Sequence, residues 1–285
     1  MQFGIGSFNG KARKFIFDGI DFFDASVISG DTIDMIRDHI SPDSLERIGT
    51  PEYFLPPMER TGQIRDFYAF EEHAMNSRKT RGLEMLREWY ETPVYYYTSN
   101  SSLYGSGMQV PYPEFTSKLD LEVEVGMIIS RDGRNIREED GINYIGGLVL
   151  MNDWSARDKW IPESRLNLGP SKSKDFATSI GPYITPLGDI MDLYDGRSFD
   201  IQVRSTINGE PFSDSNMREI YWPVGKLVSY ASLESNLREG DIIMTGTFPG
   251  GCKFERQTGD TGWLERGDRV EIFADKLGKL VNVVV

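Results

Sequence analysis

The sequence predicts an α+β protein that is mostly β, with a strand-rich body over residues 61–285 and a small N-terminal α/β appendage over residues 1–60. Three observations carry this expectation. Residues 119–125 alternate apolar and acidic side chains without a break, the period of two that belongs to a strand. Similar short runs, separated by turn residues, recur through the second half, where stretches of helical period are few. Pro51, Pro56 and Pro57 interrupt regular structure just before residue 60 and mark a linker. A length of 285 residues suits one main domain with an appendage.

Taken in order, Phe3 to Gly6 and Ala12 to Phe17 read as strands joined across the turn residues Asn9 and Gly10. A helix is predicted from Asp31 and Thr32 through Arg37, and a second after Ser41, an N-cap with Pro42 at the first helical position. Residues 80–90, with Leu83, Met85, Leu86 and Trp89, predict a third. Tyr95, Tyr96 and Tyr97 then lead to a loop with Gly105 and Gly107, which reads equally as a pocket lining or as an ordinary strand and turn. Gly147 to Asn152 is an apolar strand ending at Asp153. Phe199 to Arg204 alternates and turns at Asn208 and Gly209, Pro223 starts a helix through Tyr230, and Gly240 to Thr245 re-enters a sheet. Asp268 to Phe273 and Leu280 to Val283 pair as a hairpin across Leu277, Gly278 and Lys279. No repeat of fixed period is present.

Composition bounds the function. A net charge of −13, with no cluster of Lys and Arg, argues against a nucleic-acid partner. No apolar run reaches the ~18 residues of a membrane helix, and the start lacks a secretory pattern, so a cytoplasmic protein without a membrane partner is expected. Cys252 is the single cysteine, which excludes an internal disulfide and a thiolate cage and reads as structural.

The chemistry lies in the acids. On the 119–125 strand, alternation puts Leu119, Leu121, Val123 and Val125 on one face and Asp120, Glu122 and Glu124 on the other. An isolated Glu-x-Glu is usually a solvated strand face. A third carboxylate, Asp153, stands at the end of another strand, where sites are built, and with Glu122 and Glu124 makes an all-oxygen set suited to a hard divalent cation. Lys172 and Lys174, on the loop from Leu168 to Thr178, are either solvated or partners of anionic chemistry. Of the 2 histidines, His39 sits in an expected helix tail and has no feature that suggests a role.

Together these segments resemble the fumarylacetoacetate hydrolase family over roughly residues 61–285, and within it the true fumarylacetoacetate hydrolases. The segments are the Glu122/Glu124 strand, the run from Leu150 through Asp153 to Arg157 and Asp158, the loop ending Lys174, Asp175 and Phe176, the turn at Asn208 and Gly209, and Gly240 to Thr247. The resemblance implies a mixed β-roll catalytic fold, a homodimer, and Mg²⁺, or else Mn²⁺ or Ca²⁺, held by Asp66, Glu122, Glu124 and Asp153. It implies His73 as base oriented by Glu255, Lys174 and Arg157 as further catalytic groups, and Tyr96, Tyr97, Arg81 and Thr247 as substrate contacts. Smaller members place a glutamate three residues after the histidine; here that position is Asn76. Asp120 lies outside the matched motif and is expected to be dispensable. The implied reaction is cleavage of a carbon–carbon bond in a β-diketo acid. The alternatives are a β-keto acid decarboxylase or diketo sugar-acid hydrolase of the same family, and a metal- or ligand-binding subunit without turnover.

Overall fold

Val123–Ile129 and Ile145–Asp153 are buried along nearly their whole length, as strands covered on both faces must be, and they pair antiparallel at the centre of a 12-stranded sheet. The computed structural model describes residues 1–256 and 262–285. From edge to edge the sheet's main path runs Arg47–Ile48, Phe22–Asp24, Lys11–Phe17, Gln2–Phe8, Thr178–Pro186, Ile145–Asp153, Val123–Ile129, Ile242–Met244, Ile64–Phe67 and Tyr95–Thr98. A second, 5-stranded sheet contains the C-terminal hairpin Arg269–Ala274 and Gly278–Val284, as expected from the sequence. The architecture is the predicted α+β class, mostly β.

Two apolar cores lie against the central strands. Leu119, Leu121, Val123 and Val125 belong to one, with Phe199, Leu227 and Ile272. Ile128, Val149, Met151, Ile242 and Met244 belong to the other, where Phe3, Ile16, Ile33 and Met35 of the N-terminal segment cover them. No described helix is long and apolar enough to cross a membrane.

Three sequence expectations change. The 119–125 strand is broken: Leu119–Asp120 pairs with Ser155–Ala156, and the regular ladder resumes only at Val123. Side chains cause the break, because Asp120 Oδ1 accepts from Leu121 N and Asn152 Oδ1 from Glu122 N, both at 2.9 Å. No helix follows Ser41. That segment is a turn closed by Leu45 N donating to Pro42 O at 2.8 Å, ahead of the Arg47–Ile48 strand. The helix expected at residues 80–90 is Glu71–Thr80 instead, followed by a separate 3₁₀ turn, Arg87–Tyr90. Gly82, at φ +70°, stops it in the left-handed region that glycine enters freely.

The helix predicted near Asp31 is present as Thr32–Arg37, with Asp31 and Asp34 forming a capping box. Asp31 also accepts from Glu59 N and Arg60 N, each at 2.9 Å, tying the proline-rich segment to the helix start. Asp31→Ala is therefore expected to cost about 2 kcal/mol, the upper end for a lost N-cap. A urea midpoint shift at constant slope would measure it.

Candidate active site

Register brings the acids together. Asp66 pairs with Met244 on one side and Tyr96 on the other, Met244 pairs with Gly126, and Asp153 ends the strand that pairs with Val123–Ile129. Alternation then sets Glu124, Asp66, Tyr96 and Asp153 on one face at one end of the sheet. Tyr97 falls on the other face, 54% exposed, where its ring covers Arg65; the structure does not bring it to the site.

The acidic face that strand alternation leaves open to solvent is sealed: Asp120, Glu122, Glu124, Asp66 and Asp153 are all buried. Lys174 enters this cluster, its Nζ donating to Asp153 Oδ2 at 2.5 Å and to Glu122 Oε2. Lys172 stays outside, 63% exposed and paired with Asp175. The Tyr96 hydroxyl contacts Asp66 Oδ2 at 2.7 Å and also Asp153 Oδ2. A phenol carries one proton, so the second contact needs a proton on one of the carboxyls.

Burial pushes the Glu122 carboxyl up, but the charges of Lys174, Arg157 and His73 outweigh it and hold the group down at about 2. Its neighbours go the other way. Burial, then the charge of Asp153, raises Asp66; burial, then Asp66, Glu122 and Asp153, raises Glu124; burial, aided by Glu122 and opposed by Lys174, raises Asp153. Asp66 Oδ1 and Asp153 Oδ1 are buried without a hydrogen-bond partner. Excess negative charge, unpaired buried oxygens and an all-oxygen donor set fit a hard divalent cation.

Beside the acids, His73 Nδ1 lies 2.7 Å from Glu255 Oε1. The other oxygen of Glu255 accepts from Asn76 Nδ2 at 3.2 Å and Gly250 N at 3.1 Å. Burial raises the Glu255 carboxyl, but His73 and these hydrogen bonds hold it below the usual range. With Nδ1 committed to Glu255, Nε2 is the His73 nitrogen available to the cavity that this residue lines.

Asp120 corrects an expectation. Fully buried, it accepts from Arg157 Nε at 2.8 Å, Lys253 N at 2.8 Å and Phe254 N at 2.9 Å, so it holds both Arg157 and the segment that carries Glu255. Arg157 donates onward to Glu122 Oε1 at 2.7 Å. Its guanidinium is thus committed to two carboxylates, and Arg157 positions Glu122. Asp120→Ala is expected to lower turnover roughly 10- to 100-fold, the scale of losing a group that holds a site residue in place. Activity within twofold of the parent would restore the dispensable reading.

One cavity of about 290 Å³, near the small end for ligand pockets, borders this cluster; Asp120, Asp153 and Glu255 do not line it. Asp66, Glu122, Glu124, His73, Lys174 and Thr247 form its polar side, with Thr247 Oγ1 at 3.4 Å from Glu124 Oε1. Tyr68, Trp160 and Phe254 form an aromatic side. Arg81 joins them, stacked 4.9 Å from the Trp160 ring centre, with Nε buried and unpartnered. Burial lowers its pKa, and no ion pair reaches it among the described residues.

A family model described as fumarylacetoacetate (FAA) hydrolase, C-terminal, matches residues 63–285. The chain belongs to the fumarylacetoacetate hydrolase family. It is 30% identical over 195 residues to a fumarylacetoacetate hydrolase domain-containing protein 2 homolog of Dictyostelium discoideum, covering 67% of this chain and 63% of that one. Curated relatives that it matches are longer, and the match spans 55% to 63% of several of them. Its fold matches a fumarylacetoacetate hydrolase from psychrophilic Exiguobacterium antarcticum with TM-score 0.79 at 22% identity, covering 100% of this chain and 99% of the other. A fumarylpyruvate hydrolase from Pseudomonas aeruginosa, solved with Mn²⁺ and pyruvate, matches with TM-score 0.65 at 24% identity over 84% of this chain and 94% of that one. Named family members are enzymes: hydrolases, isomerases and an oxaloacetate tautomerase.

Of the residues expected at the site of this family member, the structure gathers Asp66, His73, Arg81, Tyr96, Glu122, Glu124, Asp153, Arg157, Lys174, Thr247 and Glu255, and leaves out Tyr97. Asp120, Tyr68, Trp160 and Phe254 were not expected there. Asp120 was readable in principle, since it shares the acidic face with Glu122 and Glu124. The three aromatics carry no sequence signal that separates a cavity wall from a core.

Proposed function

We propose that the chain is a divalent-cation-dependent hydrolase that cleaves a carbon–carbon bond in a β-diketo acid, a 2,4- or 3,5-dioxo acid such as fumarylacetoacetate or an acylpyruvate. The observation that carries this is that His73, held by Glu255 at 2.7 Å, lines one cavity together with the buried carboxylates of Asp66, Glu122 and Glu124. Asp66, Glu122, Glu124 and Asp153 would hold the cation, Mg²⁺ first, with Mn²⁺ or Ca²⁺ as substitutes. When bound, the cation supplies polarisation of the diketone oxygens and charge stabilisation for the departing enolate.

His73 Nε2 takes the proton of a water aimed at the scissile carbonyl, and Glu255 keeps Nδ1 protonated and supports the imidazolium that forms. Lys174 gives two of its three N–H groups to Glu122 and Asp153, so the third is available to an oxyanion in the cavity. Arg157 fixes Glu122 through the 2.7 Å bond described above. Arg81, a buried-side cation with an unpaired Nε, suits a substrate carboxylate, while Trp160 and Tyr68 suit a flat conjugated chain. The proposal includes a cytoplasmic location and a homodimer, of which light scattering at twice 32.4 kDa would support the dimer.

Fumarylacetoacetate, an acylpyruvate, a diketo sugar acid and oxaloacetate, incubated in parallel with Mg²⁺ or Mn²⁺ in isotopically labelled water, form the test. Cleavage to two acids, with label in one new carboxylate, is the expected result. Carbon dioxide release or tautomerisation of oxaloacetate, with no diketo acid cleaved, would move the chain to another activity of its family.

A further inference from the structure

A second group of donors lies next to the carboxylates and has different chemistry. His73, Cys252 and Glu255 bring a nitrogen, a sulfur and an oxygen within 4.8 Å of one another. The Cys252 Sγ is buried, 3.5 Å from Glu255 Oε1, the oxygen that also meets His73 Nδ1 at 2.7 Å. Asn76 and Gly250 occupy the other carboxylate oxygen, so Oε1 is the one aimed at the pair. Such outer anchoring is what holds a metal-ligating carboxylate in place. Cys252 has no part in the proposed reaction, in which Glu255 needs only His73.

Hard cations such as Mg²⁺ favour all-oxygen cages, whereas one thiolate, one imidazole and one carboxylate with a fourth position open is a set that Zn²⁺ takes. We propose that His73, Cys252 and Glu255 form a second metal site, selective for Zn²⁺ and similar thiophilic ions over Mg²⁺, whose occupancy disables His73. On binding, the thiol proton passes to solvent; thiolate and carboxylate then balance the ion's charge with the imidazole neutral. Nδ1 ligates the ion in place of its hydrogen bond to Glu255, and the ring proton moves to Nε2. A protonated, neutral Nε2 cannot accept a proton from water, so the ion blocks the base without occupying the substrate's place.

The site shares His73 and Glu255 with the proposed reaction, but metal binding there is read without it, and only an inhibition readout depends on that reaction. Full-length protein in excess Mg²⁺ is titrated with Co²⁺ as a spectroscopic substitute for Zn²⁺. A thiolate-to-cobalt charge-transfer absorption is expected, saturating at one equivalent and erased by Zn²⁺. Calorimetry with Zn²⁺ should find at least ~100-fold weaker binding in Cys252→Ser, since losing a ligand costs no less than losing an outer partner. That variant should keep parental turnover and lose sensitivity to Zn²⁺ by the same factor. No charge-transfer band in the parent protein, or equal Zn²⁺ affinity in Cys252→Ser, overturns the proposal and places any Zn²⁺ among the carboxylates. Should Cys252→Ser not fold, the band in the parent protein decides alone.

Discussion

Replacing His73 by Ala is expected to lower kcat on the best β-diketo acid by roughly 10²- to 10⁴-fold, or about 3 to 5.5 kcal/mol of barrier, the usual contribution of a positioned general base. The divalent cation should still bind, because the imidazole is not among the four carboxylates proposed to hold it. Glu255→Gln should lose less, since it acts on the reaction only through His73, to which it is bonded at 2.7 Å. The double variant should be scarcely worse than His73→Ala, as for groups that work as one unit. Single-turnover kinetics at saturating Mg²⁺ would measure all three. Near-parental turnover in His73→Ala with metal bound would end the water-activation mechanism and favour a decarboxylation, in which carbon dioxide leaves without nucleophilic attack.

What the sequence disclosed depended on whether the pattern of a segment matched the thing it packs against. The central strands were readable because Val123, Val125, Leu148 and Leu150 are apolar and truly face a core. The Glu71–Thr80 helix was not, because its buried side is His73, Ala74 and Ser77, two of them polar and kept for the cavity. Periodicity looks for apolar stripes, and it moved the helix downstream onto Leu83 and Leu86, which lie outside the core on a loop after Gly82. Likewise, alternation assigned Asp120, Glu122 and Glu124 to a common face but gave no sign of what covers it. Only the fold supplies Lys174 and Arg157 from distant segments to make burial of those charges tolerable. The same alternation could have separated Tyr96 from Tyr97, had the partner of Asp66 been known.

The other large effect is expected from Glu124→Gln. In the parent protein, Mg²⁺ at ~100 times its dissociation constant should add about 2.7 kcal/mol of stability by mass action. Glu124→Gln should lose that response together with turnover, by on the order of 10³, because several kcal/mol of charge stabilisation depend on the cation. The metal-free proteins give the sharper test. Burial, followed by the charges of Asp66, Glu122 and Asp153, raises the Glu124 carboxyl well above its ordinary value of 4.5 in the fold. Through this group the native state binds more protons than the unfolded chain, so its contribution to stability is retained near and below pH 4.5 and declines as pH rises from there. Glutamine has no charge to bury. With cation chelated, Glu124→Gln should therefore be more stable than the parent at neutral pH, and the difference should shrink as pH is lowered toward 4.5, as urea midpoints across that range would measure. A carboxylate kept for an ion pair would behave oppositely, its replacement destabilising at neutral pH and harmless in acid. Loss of stability at neutral pH, or a surviving Mg²⁺ response, would remove Glu124 from the cation site.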